Sequence, residues 1–139
     1  MAKYANGKFA VKNPEKYMGK RSPTYRSSWE LTFMNFCDNN PSVLNWASES
    51  IKIPYRHPLT GKSTVYVPDF FILYEDKNGK KHAEIIEIKP SSQTFIEEAK
   101  SVNNRAALIV NYAKWEAAQK WAEKNKCRFR IVTEKDIFR

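Results

Sequence analysis

Glycine is scarce in this chain, four among 139 residues, and none follows Gly79, while proline stops at Pro90. A stretch without either breaker has no cheap way to turn, so Ser91 to Lys126 is expected to be largely helical. Cysteine is limited to Cys37 and Cys127, with no CxxC spacing and no nearby histidine pairing. That leaves no local zinc site and fits a reduced, cytosolic setting. Long apolar runs are missing as well. None approaches the ~20 residues needed to cross a bilayer, and Met1 to Ala10, with Lys3, Asn6 and Lys8, lacks the apolar core of a secretory signal. Nothing directs the chain to a membrane, and no repeat or low-complexity segment occurs.

Acidic residues are also in deficit, 15 against 24 lysines and arginines, which gives a net charge of +9 and a pI of about 9.6. Such a surface attracts polyanions, because each cation that neutralises a phosphate releases a condensed counterion. Nucleic acid is the expected partner, although charge alone specifies neither fold nor chemistry. The 42% apolar and 14% aromatic content is enough to bury a real core, and the length suits one domain.

The charge is concentrated at the N-terminus. Residues 1–26 hold seven basic residues and one acid, hence +6 of the +9. Tyr4, Phe9, Tyr17 and Tyr25 are interleaved with Lys12, Lys16, Lys20, Arg21 and Arg26, a pattern suited to phosphate contact with stacking on bases or sugars. The segment reads either as a DNA-contacting arm ahead of a domain over 27–139, or as a tail whose aromatics pack on that domain.

Ser27 followed by Glu30 forms a capping box, and Trp29, Phe33 and Phe36 then recur at helical spacing until Asn39, Asn40 and Pro41. From Val43 to Arg56 the pattern turns to strand, with Ile51, Ile53 and Tyr55 alternating, and His57 to Gly61 makes a turn. Thr64 to Glu75 is a second strand run and Lys81 to Lys89 a third. In the long helical stretch Thr94 with Glu97 can cap the start, and Trp115, Ala118, Trp121 and Ala122 share a face. Ala106 to Val110 is compatible with helix or buried strand, and Arg128 to Thr133 alternates as a last strand. The expected order is α, β, β, β, α, β.

The words that carry chemistry are Val67-Pro68-Asp69-Phe70 and Glu87-Ile88-Lys89, on the two strands flanking Asp76 to Lys80. A three-residue loop, Lys77 to Gly79, with Gly79 left-handed, sets Asp76 opposite Lys80, Glu75 beside Lys81, Phe71 beside Ile85 and Asp69 beside Glu87. Two like charges directly opposite on a sheet repel. A divalent cation reverses the sign: two carboxylates, a backbone carbonyl at Ile88 and waters make the partial oxygen shell that Mg2+ favours, and a scissile phosphate can complete it. Lys89, two residues after Glu87, lies on the same face, placed to orient or deprotonate a water or to steady charge on the phosphate. Glu30 is a further candidate for the metal shell or its water, though its capping position alone explains an acid there. Ile85, Ile86 and Ile88 surround Glu87 and Lys89, so stray surface charge is a poor explanation for them. A structural salt bridge is the competing one.

At these residues the chain resembles the PD-(D/E)XK nucleases. Ser-Ser-Trp-Glu, Val-Pro-Asp-Phe, Glu-Ile-Lys-Pro and a Lys-Trp-Glu-Ala-Ala helix leading to Phe-Arg-Ile-Val-Thr-Glu carry the likeness, over about Ser27 to Phe138. Within that superfamily it is most like the head-completion nucleases of T4-type bacteriophages, then the transposon end-cutting TnsA-like endonucleases. The resemblance implies an α/β, restriction-endonuclease-like fold, a mixed sheet flanked by helices, and a Mg2+-dependent cutter of double-stranded DNA in which Mn2+ substitutes. It assigns Glu30, Asp69, Glu87 and Lys89 to the motif, with Asn111 and Lys114 near the active face. It also implies a role in finishing the packaged phage head, beside portal or neck proteins, in the host cytoplasm or the virion. A non-catalytic neck or DNA-binding protein and a partner-dependent transposase subunit are the alternatives.

Overall fold

The computed structural model describes residues 6–94 and 102–137. Its centre is a four-stranded mixed sheet in the order β3-β6-β7-β8, built from Val43–Ser48, Phe70–Glu75, Lys81–Ile88 and Arg128–Val132. The β3–β6 and β6–β7 pairs are antiparallel, and β8 joins β7 in parallel. The two faces are covered by different helices. α1 (Ser28–Asn39) brings Trp29, Phe33, Met34 and Cys37 against Phe70, Ile72, Ile86 and Ile88. α2 (Val102–Lys124) brings Leu108, Trp115, Ala118 and Ala122 against Ile85 on the other face. Successive strand side chains alternate between faces, which is why Ile85 and Ile86 lie in different cores. This is the mixed α/β architecture that the sequence implies.

The β6–β7 hairpin closes as its loop chemistry demands. Asp76 N–H donates to the Lys80 carbonyl at 2.9 Å, Asp76 Oδ1 accepts from the N–H groups of Asn78 and Lys80, and Gly79 has φ 82°. The α1 cap also forms, with Ser27 Oγ accepting from the Glu30 N–H.

Two expected strands are each broken in two. The Val43 to Arg56 run bends at Glu49, whose φ is +49°, and the Thr64 to Glu75 run stops at Val67 to Asp69. Between those breaks the chain leaves the main sheet and forms its own two-stranded ladder, β4 (Ile53–Arg56) with β5 (Ser63–Tyr66). Pro54 and Pro68 explain the departure: neither can donate to a ladder, so both are excluded from a central strand. Ala106 to Val110 is helical. A 3-10 turn, Ser91–Gln93, precedes α2, and the cap expected from Thr94 with Glu97 reaches outside the described residues. α2 ends without glycine, Lys126 taking φ 57° while the Cys127 N–H donates back to the Ala122 carbonyl at 2.9 Å. The short α3 (Glu134–Ile137) has too few residues for a periodic signal.

The basic N-terminal segment is packed from Phe9 onward. A small ladder pairs β1 (Gly7–Lys8) with β2 (Thr24–Tyr25). Phe9 and Tyr17 meet the fully buried Trp46 edge-on, at 5.9 and 4.8 Å between ring centroids. Met18 N–H donates to the Trp46 carbonyl and Trp46 N–H to the Lys16 carbonyl, so the segment extends the sheet beside β3. The buried Asp38 carboxylate accepts from the backbone N–H groups of Lys12 and Asn13, at 2.8 and 3.1 Å.

Candidate active site

The β6–β7 register places Glu75 opposite Lys81, Phe71 opposite Ile85 and Phe70 opposite Ile86, so one further step in phase brings Asp69 to Glu87. Asp69 sits just before β6 and its carboxylate continues the ladder: Oδ2 accepts from the Ile88 N–H at 2.8 Å. In an extended strand the N–H and C=O of one residue turn to the same side, so the Ile88 carbonyl is directed toward Asp69 as well. The Lys89 N–H goes to the other neighbour, the Val132 carbonyl on β8.

Both acids are held in unfavourable surroundings for a charge. Burial, then the negative charge of Glu87, pushes the Asp69 carboxyl well above its ordinary range, against the Ile88 N–H. Glu87 is 7% exposed. Burial raises it too, opposed by a hydrogen bond from Tyr66, by Lys89, by the Asp69 backbone and by Lys114. Lys89 Nζ lies 3.9 Å from Glu87 Oε2, beyond hydrogen-bond reach and therefore not spent on a tight structural bridge.

Glu30 caps its helix. Its carboxylate takes the Arg26 N–H and the Ser27 hydroxyl, both at 3.3 Å, burial raises its pKa, and its charge contributes to the rise at Asp69. Lys114 stands over the Tyr66 ring, 5.8 Å from its centroid. Asn111 lines a cavity of about 480 Å³ beside Lys89, with Gln93, Asn104 and Leu108. Lys12, Lys20 and Arg21 are exposed. Arg26 is bonded to Glu49. Lys16 is the one expected phosphate ligand whose ammonium is committed elsewhere: it donates to the carbonyls of Asp38 and Asn40 at the C-terminal end of α1, at 3.1 and 2.8 Å, where a cation offsets the helix dipole.

Tyr66 is the site residue that sequence reasoning missed. Its hydroxyl donates to Glu87 Oε1 at 2.7 Å in a buried contact, and burial followed by the Glu87 charge drives its pKa far upward, so it stays protonated and remains a donor. The available signal was its position three residues before Asp69. That signal is readable only once Pro68 is known to separate two ladders.

Among the described residues no three His, Cys, Asp or Glu side chains converge on one metal-sized point. The candidate donor set is two neighbouring carboxylates and a carbonyl, all oxygens, as a hard divalent cation requires, with the rest of its shell left to water and phosphate. The raised pKa values of both acids fit a place where a cation relieves the repulsion.

Residues 40–134 match the family model described as "TnsA-like endonuclease N terminal". The chain is also 36% identical over 140 residues to the head completion nuclease of Enterobacteria phage T4, across 93% of this chain and 91% of that protein. The family match takes in Asp69, Glu87, Lys89, Asn111 and Lys114 and leaves Glu30 outside. The chain therefore belongs to the TnsA-like endonuclease family and is a phage-type nuclease related to the T4 head completion protein.

Proposed function

We propose that this protein is a Mg2+-dependent endodeoxyribonuclease of the PD-(D/E)XK type that hydrolyses phosphodiesters of double-stranded DNA during completion of the packaged phage head. The observation that carries the proposal is the pair of buried acids Asp69 and Glu87, where β6 begins and β7 ends, with Lys89 beside it. Asp69, Glu87 and the Ile88 carbonyl would hold Mg2+, or Mn2+ in its place, which when bound supplies charge neutralisation on the phosphate and an acidified water. Lys89 orients that water or stabilises charge on the phosphorus centre, being close to Glu87 yet not bonded to it. Tyr66 fixes the Glu87 carboxylate, and Glu30 adds negative charge on the Asp69 side.

Lys12, Lys20, Arg21, Arg26 and Lys114 contact the DNA backbone, Arg26 and Lys114 from beside this centre. The working place is the host cytoplasm or the virion, next to portal or neck proteins, by analogy with the T4 relative's name. The test is incubation of purified protein with duplex DNA and Mg2+ or Mn2+. Cleavage that is lost in Asp69→Ala is the expected result; absence of cleavage, or equal cleavage by Asp69→Ala, rejects the proposal.

A further inference from the structure

The chain between Ile51 and Pro68 contains no acid, yet it carries Lys52, Arg56 and Lys62, all exposed. None of these three cations is in an ion pair among the described residues, whereas Arg26, Lys89, Lys120 and Arg130 are. This stretch is the β4–β5 hairpin that leaves the main sheet. Its register pairs Ile53 with Tyr66 and Arg56 with Ser63. The inward side is buried at Ile53 and Tyr66, the outward side alternates Lys52, Pro54 and Arg56, and Lys62, across from His57 at the exposed tip, falls on the inward phase.

The hairpin is fastened at its base and closed at its tip. At its base Tyr66 is bonded to Glu87 and Ile53 is packed in the α2-side core. At its tip His57 Nδ1 accepts from the N–H groups of Leu59 and Thr60, His57 and Lys62 close the loop through a 2.8 Å backbone bond, and Gly61 takes φ 74° in open space. Cations on a preshaped element lose little entropy on binding.

We infer that the β4–β5 hairpin is a phosphate grip, with Lys52, Arg56 and Lys62 seizing the backbone of duplex DNA beside the bond to be cut. The inference rests on the nuclease reading of the Asp69–Glu87 centre and adds where the substrate is held. Strands rise ~3.3 Å per residue, so Arg56 and Ser63, three steps from Tyr66, lie ~10 Å along the hairpin from the root, about three base-pair rises of duplex. The hairpin thus reaches phosphates adjacent to the scissile one. The exposed Leu59 and Val65 are the features that a protein partner would use instead, and the experiment separates the two.

The test is equilibrium binding of the full chain to a short duplex without divalent metal, from about 50 to 200 mM salt. Each lost phosphate contact lowers the log–log salt slope by ~0.9, so Lys52→Ala/Arg56→Ala/Lys62→Ala is expected to lower it by ~2.7, with weaker affinity for every sequence alike. The charge-conserving Lys52→Arg/Arg56→Lys/Lys62→Arg is expected to keep the wild-type slope. An equal charge change at the far end of the main sheet, Lys77→Ala/Lys80→Ala/Lys81→Ala, is expected to alter it by less than half as much. A fall of less than ~1.5 in the hairpin variant, or an equal fall in the distal one, overturns the inference. Cleavage by the wild-type protein is scored separately. A wild type that binds through the hairpin and cuts nothing removes the nuclease reading alone, and one that cuts while the hairpin variant keeps its slope removes the grip alone.

Discussion

The phenol of Tyr66 donates to Glu87 Oε1 across 2.7 Å, and the ring that carries it lies beneath the ammonium of Lys114. One side chain therefore orients an acid of the candidate centre and a cation from the helix above it. Removing the hydroxyl while keeping the ring isolates the first role. Partners that orient a metal-holding carboxylate usually matter about 10- to 100-fold. Tyr66→Phe is expected to weaken Mn2+ binding and cleavage by that amount. Loss of one buried hydrogen bond costs about 1 kcal/mol, so the fold should survive. Calorimetric Mn2+ titration beside a urea melt checks both; unchanged Mn2+ affinity would show that Tyr66 is merely structural.

The two acids make a statement about stability against pH. Both carboxyls are raised in the folded state, chiefly by burial, so the folded protein binds protons more tightly than the unfolded chain. Stability then falls as pH rises through the window that opens near the ordinary values, 3.8 for Asp69 and 4.5 for Glu87, and closes above their folded values. At neutral pH without metal the pair is a liability. Asp69→Asn is accordingly expected to stabilise the metal-free protein by about 1 kcal/mol at pH 7 to 8. The gain should vanish at a pH well below the ordinary value of 3.8, where the carboxyl is protonated in both states. Thermal melts with EDTA across that range measure it, and a gain independent of pH would contradict the argument.

Lys89 is the cation of the candidate centre, and its ammonium, 3.9 Å from Glu87, is not held in a tight hydrogen bond to it. If it handles the attacking water, Lys89→Ala should lower the cleavage rate by ~10²- to 10⁴-fold, the usual worth of a positioned acid–base group. Duplex affinity should change by the loss of about one phosphate contact at most. Single-turnover rates at saturating DNA make the distinction. A variant that binds weakly yet cuts at the normal rate would reassign Lys89 to substrate holding.

How much of this was legible before the structure depends on range. The β6–β7 hairpin was readable because Gly79 and Asp76 dictate the loop locally, and a loop of fixed length fixes the register back to Asp69 and Glu87. α1 was readable because Ser27 and Glu30 announce its start. The β4–β5 hairpin was not. The left-handed Glu49 and Pro68 mark its ends only if one already knows that the flanking strands enter a different sheet. Lys16 shows the same limit from the other side: in sequence it belongs to a run of cations, and only the fold reveals that the C-terminal carbonyls of α1 lie within its reach.

That last contact bears on how the N-terminal segment can be tested. Removing residues 1–26 would strip Phe9 and Tyr17 from Trp46 and abolish the partners of Asp38, so loss of DNA binding after truncation would not distinguish a missing contact from a broken fold. Asp38 gives the sharper probe. It is 1% exposed and its two carboxylate oxygens satisfy the N–H groups of Lys12 and Asn13. Those bonds are charge-assisted, and deleting the acceptor leaves two donors without it. Asp38→Ala is expected to destabilise the protein by about 3 kcal/mol in urea unfolding. Lys12→Ala keeps the backbone donor and should be nearly neutral in the same melt, while Lys12→Pro, which deletes the N–H, should approach the Asp38→Ala loss. Equal and small effects from all three would mean that the basic segment is not fastened to the domain through this carboxylate.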